Sequence, residues 1–209
     1  MSTPVPTPGA QDTLAALELV SVPAGLCALD ALCKEATVEL LFAGDIDPGR
    51  FLILWTGDLA SVEAGLRRAL DEAGSDALES LLLPQAHLSL RAALAGQLAS
   101  PSGPQHTELA LGIVQCHTVI GILAALDRAL KAAEIEVLRL RFATELAGQG
   151  HAVFAGEQYD VEAALAAARE GAPAGVEVIT RRIARPAAEV YAVAAQRRLG
   201  ARPVRPLDA

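Results

Sequence analysis

The feature that most constrains this chain is that it matches itself. "ALDALCKEATVELL" (28–41) and "ALDRALKAAEIEVL" (125–138) share Ala-Leu-Asp at the start, Lys at the seventh position and Glu at the twelfth. Lys34 and Lys131 are therefore 97 residues apart. "GDLASVEAGLRRALDEAG" (57–74) matches "GEQYDVEAALAAAREGAP" (156–173) at a separation of 99. Upstream, "ALELV" (16–20) aligns with "ALGIV" (110–114). Downstream, "LPQAH" (83–87) aligns with "RPAAE" (185–189). Four blocks in conserved order mean two copies of one structural unit, each about 85 residues long.

Within a copy the hydrophobic period alternates between two and 3.6. "LAALELVSV" reads as a strand. "AGLCALDALCKEA" reads as a helix with Leu26, Leu29, Leu32 and Cys33 on one face, which puts Cys27 and Cys33 near the core. "TVELLFAGDI" and "FLILWTG" are β-rich runs around a Pro-Gly turn. "DLASVEAGLRRALDEAG" is an amphipathic helix capped by Asp58, apolar along Val62, Leu66, Ala69, Leu70 and Ala73, and ended by Gly74. A strand, "DALESLLLP", and a short helix, "AHLSLRAAL", follow. The order β-α-β-β-α-β plus a helix predicts an α+β fold. It is two tandem ferredoxin-like units, each an antiparallel sheet with helices on one side. The expected boundaries are a flexible arm at 1–13, a first domain at 14–95, a linker at 96–107, a second domain at 108–195 and a basic tail at 196–209.

Composition limits what such a repeat can do. The 209 residues are 52% hydrophobic but 3% aromatic, and the formal net charge is −8. An acidic chain without a basic face is not expected to bind nucleic acid. No apolar run approaches the ~18 residues of a membrane span, and no membrane partner is expected. The N-terminus lacks the basic and apolar regions of a secretory signal, and a reducing cytosol is the expected setting. Cys27, Cys33 and Cys116 are odd in number and form no C-x-x-C pair, so neither metal nor cofactor is expected. Cys116-His117 has no accompanying cluster and reads as a buried or interface thiol. No nucleophile–base set and no phosphate-binding loop is present, so no catalytic residue and no enzyme activity are assigned.

The doubled β-α-β-β-α-β order, the "ALDxALKxA" helix, the loops before "FLIL" and "HAVF", and the "RP" near the end resemble the bacterial microcompartment shell-protein family. The resemblance covers about residues 14–195. It implies a homotrimer acting as a pseudo-hexameric shell tile in the cytoplasm, meeting other shell proteins at its edges. It also implies a central pore for small metabolites, lined by the hairpin loops Asp47, Pro48, Gly49, Arg50 and Ala147, Gly148, Gln149, Gly150.

"IDPGRF" (46–51) is similar to a branch whose Cys-Pro-Gly-Lys loop holds an iron–sulfur cluster on the trimer axis, but here Asp47 stands at the cysteine. An electron-transfer tile is thus the alternative, with a ferredoxin-like small-molecule sensor behind it. On the loop sequences alone, both segments also read as plain tight turns, 46–51 as type I or II. In a pore, Arg50 would offset Asp47, and Gly49 and Gly148 would offer backbone donors to solutes. The resemblance further implies tile-edge roles for Lys34, Lys131 and Arg185, with Leu83 at the first-copy position of Arg185. His87 reads as a helix cap or surface residue.

Overall fold

A computed structural model describes residues 13–98, 109–143 and 145–195. Nearly all of the expected arm, most of the linker and the whole tail 196–209 lie outside the described residues. The chain divides into two compact units, with the boundary in sequence between Ala86 and His87. The first contains β1 (Thr13–Leu19), α1 (Val22–Glu35), β2 (Glu39–Ile46), β3 (Arg50–Gly57), α2 (Leu59–Ala73) and β4 (Ala77–Leu83). The second contains α3 (Leu88–Leu94), β5 (Ala110–Cys116), α4 (Val119–Ala132), β6 (Glu136–Phe142), β7 (Gly150–Gly156), α5 (Gln158–Gly171), β8 (Val178–Ile183) and α6 (Ala188–Ala195). The terminal helix of the first repeat, α3, packs in the second unit rather than with its own repeat.

Each sheet is antiparallel, in the orders β2-β3-β1-β4 and β6-β7-β5-β8. This is the split β-α-β arrangement, present twice. The registers also set the true alignment of the copies. Leu19 pairs with Phe51 and Cys116 with Gly150. β1 and β5 are thus 97 residues apart and β3 and β7 are 99 apart, as the helices are. The aligned blocks "ALELV" and "ALGIV" are three residues out of step, because Thr13 and not Ala16 is equivalent to Ala110. Leu14 pairs with Leu83 and Leu111 with Ile183, so β4 and β8 are 100 apart. Arg185 therefore corresponds to Gln85 rather than Leu83. Bulges fall at the same place in both edge strands, after Leu40 and after Val137.

The helix starts follow local chemistry. Ser21 and Thr118 accept from the amides of Ala24 and Gly121, capping α1 and α4. Asp58 accepts from Ser61 N–H at 3.0 Å, and hydrogen bonds from the Ser61 side chain and then its backbone hold the Asp58 carboxyl below the usual range. Gly74 ends α2 with φ +52°, a conformation glycine adopts without a Cβ penalty. β1 has no exposed residue; its Ala15, Leu17 and Leu19 pack with Leu32, Ile53, Trp55 and Val62 under α1 and α2.

Two expectations fail here. Cys27 and Cys33 are exposed, and so is Leu26. The face of α1 that packs on the sheet is set instead by Gly25, Ala28, Ala31 and Leu32, so the leucines alone misplace the stripe by part of a turn. Nor are all helices on one side. Tyr191 of α6 packs with Leu111, Leu138 and Val153, on the sheet face opposite the one that Gly150 and Ala152 turn toward α4. Cys116 is buried, as expected.

Helix-to-sheet packing is solved in complementary ways. A Cβ on Gly25 would lie 2.2 Å from the Phe51 ring, so α1 leaves out a side chain where β3 supplies one. The equivalent positions in the second unit are Ile122 and Gly150, and a Cβ on Gly150 would meet Ile122 at 2.2 Å. Bulk has moved from strand to helix while the contact is kept. Gly25→Ile alone should cost about 1–3 kcal/mol by overpacking, and Phe51→Ala about 3–5 kcal/mol by leaving a cavity. The double variant should be more stable than the sum of those costs by over ~1 kcal/mol in denaturant melts. Strict additivity would show that the exchange is coincidental.

Candidate pore loops and edge lysines

The two hairpin loops are built at the same end of equivalent sheets and locked in equivalent ways. In the first unit Ile46 pairs with Arg50, and Gly49 N–H donates to the Ile46 carbonyl at 2.9 Å. The Asp47–Pro48 bond is cis, so the turn is type VI rather than type I or II. Gly49 has φ +81° with open space around it. Pro48 and Gly49 are exposed at the tip.

Arg50 turns away from the tip. Its Nη1 reaches Oε1 of Glu18 at 2.7 Å, and Glu18 is buried in the middle strand β1. A carboxylate there requires a partner, because an unpaired buried charge is costly. The arginine expected to offset Asp47 is therefore committed to Glu18.

In the second unit the residues equivalent to Glu18 and Arg50 are Gln115 and Gln149. Gln115 Nε2 donates to Gln149 Oε1 at 2.7 Å. One lock is ionic and the other is amide-to-amide, but both tie the residue that closes the hairpin loop to the central strand. The second loop is two residues longer. Ala143 N–H donates to Gln149 C=O, and Gly148 N–H donates to Ala143 C=O. Ala143, Glu145, Ala147 and Gly148 all have positive φ. Ala147 is exposed, whereas Gly148 and Gly150 are buried. Gly150 is the first residue of β7, equivalent to Phe51 and under α4. The Gly49 and Gly148 amides are both used inside their own turns, so neither is a ready donor to a solute.

On the same sheet face, His151 sits opposite Arg141. Burial, then Arg139 and Arg141, depress its pKa and favour the neutral imidazole. Composition gave no signal for Glu18, Gln115 or His151. What could have found Glu18 and Gln115 is that each is the one long polar side chain in a central, mostly apolar strand, β1 or β5; His151 in β7 has no such signal.

The candidate edge residues lie elsewhere. Lys34 Nζ is 2.6 Å from Asp30 and Lys131 Nζ is 2.6 Å from Asp127, each one helical turn back. The first pair is exposed. In the second, Asp127 is buried and also accepts from His87 N–H at 2.8 Å. His87 caps α3 by accepting from Ser89 N–H at 3.2 Å, as expected of it. Arg185 is exposed in the turn between β8 and α6. His117 lies 3.6 Å from Glu177 at the surface. Among the described residues no group of three His, Cys, Asp or Glu side chains could hold a metal ion. No described helix is long and apolar enough to cross a membrane.

Comparison with known proteins agrees with this geometry. The BMC domain family model matches twice, over residues 13–86 and 110–186. The chain is 36% identical over 156 residues to the bacterial microcompartment shell protein PduT of Citrobacter freundii, spanning 75% of this chain and 82% of that protein. A microcompartment protein from Desulfitobacterium hafniense has the same fold at 24% identity, with TM-score 0.72 over 87% of this chain and 98% of that one. A fused permuted hexameric shell protein from the RMM microcompartment superposes with TM-score 0.58 at 21% identity, over 76% of this chain and 83% of that one. With two tandem copies of its domain, this chain belongs to the bacterial microcompartment shell-protein family.

Proposed function

We propose that three chains close into a pseudo-hexameric tile whose central pore passes small metabolites. The observation that carries this reading is the paired lock, Glu18–Arg50 and Gln115–Gln149, under two loops at the same end of equivalent sheets. Three chains bring six such loops around one axis, alternating short and long. A loop tied to a central strand keeps its tip in place, which a constriction of fixed diameter requires. The tile is structural and carries no catalytic residue.

The loop tips, Pro48, Gly49 and Ala147, present little side-chain bulk, and among the described residues the guanidiniums beside the loops are engaged, Arg50 by Glu18 and Arg141 by Glu145. The pore is therefore a size filter without a cation held ready for anions. An electron-transfer tile needs thiolates at the axis, and Asp47 is not one. Protein purified without oxygen should be colourless and iron-free. Asp47→Cys should take up an iron–sulfur cluster on reconstitution, because three thiols would then meet at the axis. Stoichiometric iron in the wild type would overturn the size-filter reading in favour of electron transfer.

Lys34, Lys131 and Arg185 are assigned to the tile edges, where they meet other shell proteins. The two lysines differ in what they support inside the chain. Lys34→Ala removes an exposed pair and should change stability by less than ~0.5 kcal/mol. Lys131→Ala strips a buried carboxylate of its ammonium and should cost about 1–3 kcal/mol. Both should reduce sheet formation in electron micrographs. Sheets that form as in the wild type in both variants would remove the edge assignment.

A further inference from the structure

The two repeats have equivalent first helices with very different surroundings. α4 buries eleven of its fourteen residues, and α1 buries four of its fourteen. Leu123 is 0% exposed while its equivalent Leu26 is 55% exposed. Val22, Cys27 and Cys33 are exposed, whereas their equivalents Val119, Ala124 and Leu130 are buried. Asp30 is exposed and Asp127 is buried.

Part of what covers the second unit's face is α3. It packs on α4 and β6, and its cap residue donates its backbone N–H to Asp127. Leu90, Ala93 and Leu94 are its buried side. The repeat equivalent of α3 is α6, 100 residues later. α6 turns Tyr191 to its own sheet but leaves Val190 at 42% and Val193 at 59% exposed. These are the equivalents of buried Leu90 and Ala93, and their spacing of three puts them on one stripe. The chain thus carries one unfilled copy of a socket and one unused copy of the segment that fills it.

We infer that residues 187–193 of a second copy dock on the outer face of α1 and the edge strand β2, as α3 and its cap dock on α4 and β6. Val190 and Val193 of that copy lie against Leu26, Cys27 and the β2 edge, and Ala187 N–H of that copy donates to Asp30. The contact is head-to-tail, since socket and plug are different surfaces, and with the three-fold closure proposed above it makes a ring rather than a two-fold pair. This rests on the trimer reading above and adds which surfaces make it. It also accounts for two exposed thiols and an exposed leucine on a helix whose twin is buried.

The experiment is native labelling of the full chain with a maleimide, read site by site by mass spectrometry, alongside native mass. In the wild type, Cys27 and Cys33 should react at least tenfold more slowly than in Val190→Asp/Val193→Asp. That variant should run as monomer with an unchanged circular dichroism spectrum. Leu26→Arg, on the opposing surface, should give the same monomer even if α6 tolerates the aspartates. If the wild type is itself a monomer, the trimer reading falls, and this inference with it. If all three proteins are trimers and Cys27 labels equally fast in each, the trimer stands and this docking surface is wrong.

Discussion

A strand buried on both faces and bonded on both edges permits one polar residue only if a partner is brought to it. β1 is such a strand and β5 is nearly one, with Ile113 and Gln115 half-buried, and Glu18 and Gln115 are the equivalent long polar residues near their C-terminal ends. The partner must come from the adjacent strand, and the residue where the hairpin loop closes onto that strand is the one within reach. Arg50 and Gln149 answer that demand. The loops are therefore placed by the need to satisfy a buried group. Two residues more in the second loop change its path through four positive-φ residues without releasing its lock. Replacing the ionic pair by an amide pair keeps the geometry and removes a buried charge.

The copies have diverged by exchange rather than by loss. Bulk moved between strand and helix at Gly25/Phe51 and Ile122/Gly150 with the contact preserved. The helix lysine and its aspartate remain in both copies, exposed in one and half-covered over a buried carboxylate in the other. Such asymmetry is what two copies acquire when one packs inside the chain and the other against a neighbour. A fused pair can then specialise one face of each unit without altering the other.

The fold was legible because helices carry a strong period and no insertions. Lys34/Lys131 and the α2/α5 blocks align at the separations the strand registers later require. The outer blocks did not align correctly. An Ala/Leu-rich strand resembles itself under small shifts, which misplaced "ALELV" by three residues. A shared proline drew Arg185 to Leu83 instead of Gln85. The loop counterparts slipped for the same reason, since two extra residues between Ala143 and Gln149 make Gly150 the equivalent of Phe51. The cysteines of α1 were misread because small residues, not leucines, mark its packed face. The lock under the loops joins residues 32 and 34 positions apart, and no local pattern reports it.

The central claim is that two units per chain and three chains per ring make one six-cornered tile. Native mass spectrometry of the intact, full-length chain tests it directly. Three chains of 21.6 kDa predict a single species near ~65 kDa across micromolar concentrations, with six-cornered particles in electron micrographs. A species at 21.6 kDa that persists at those concentrations would contradict the account, since the locked loops would then have no common axis to surround.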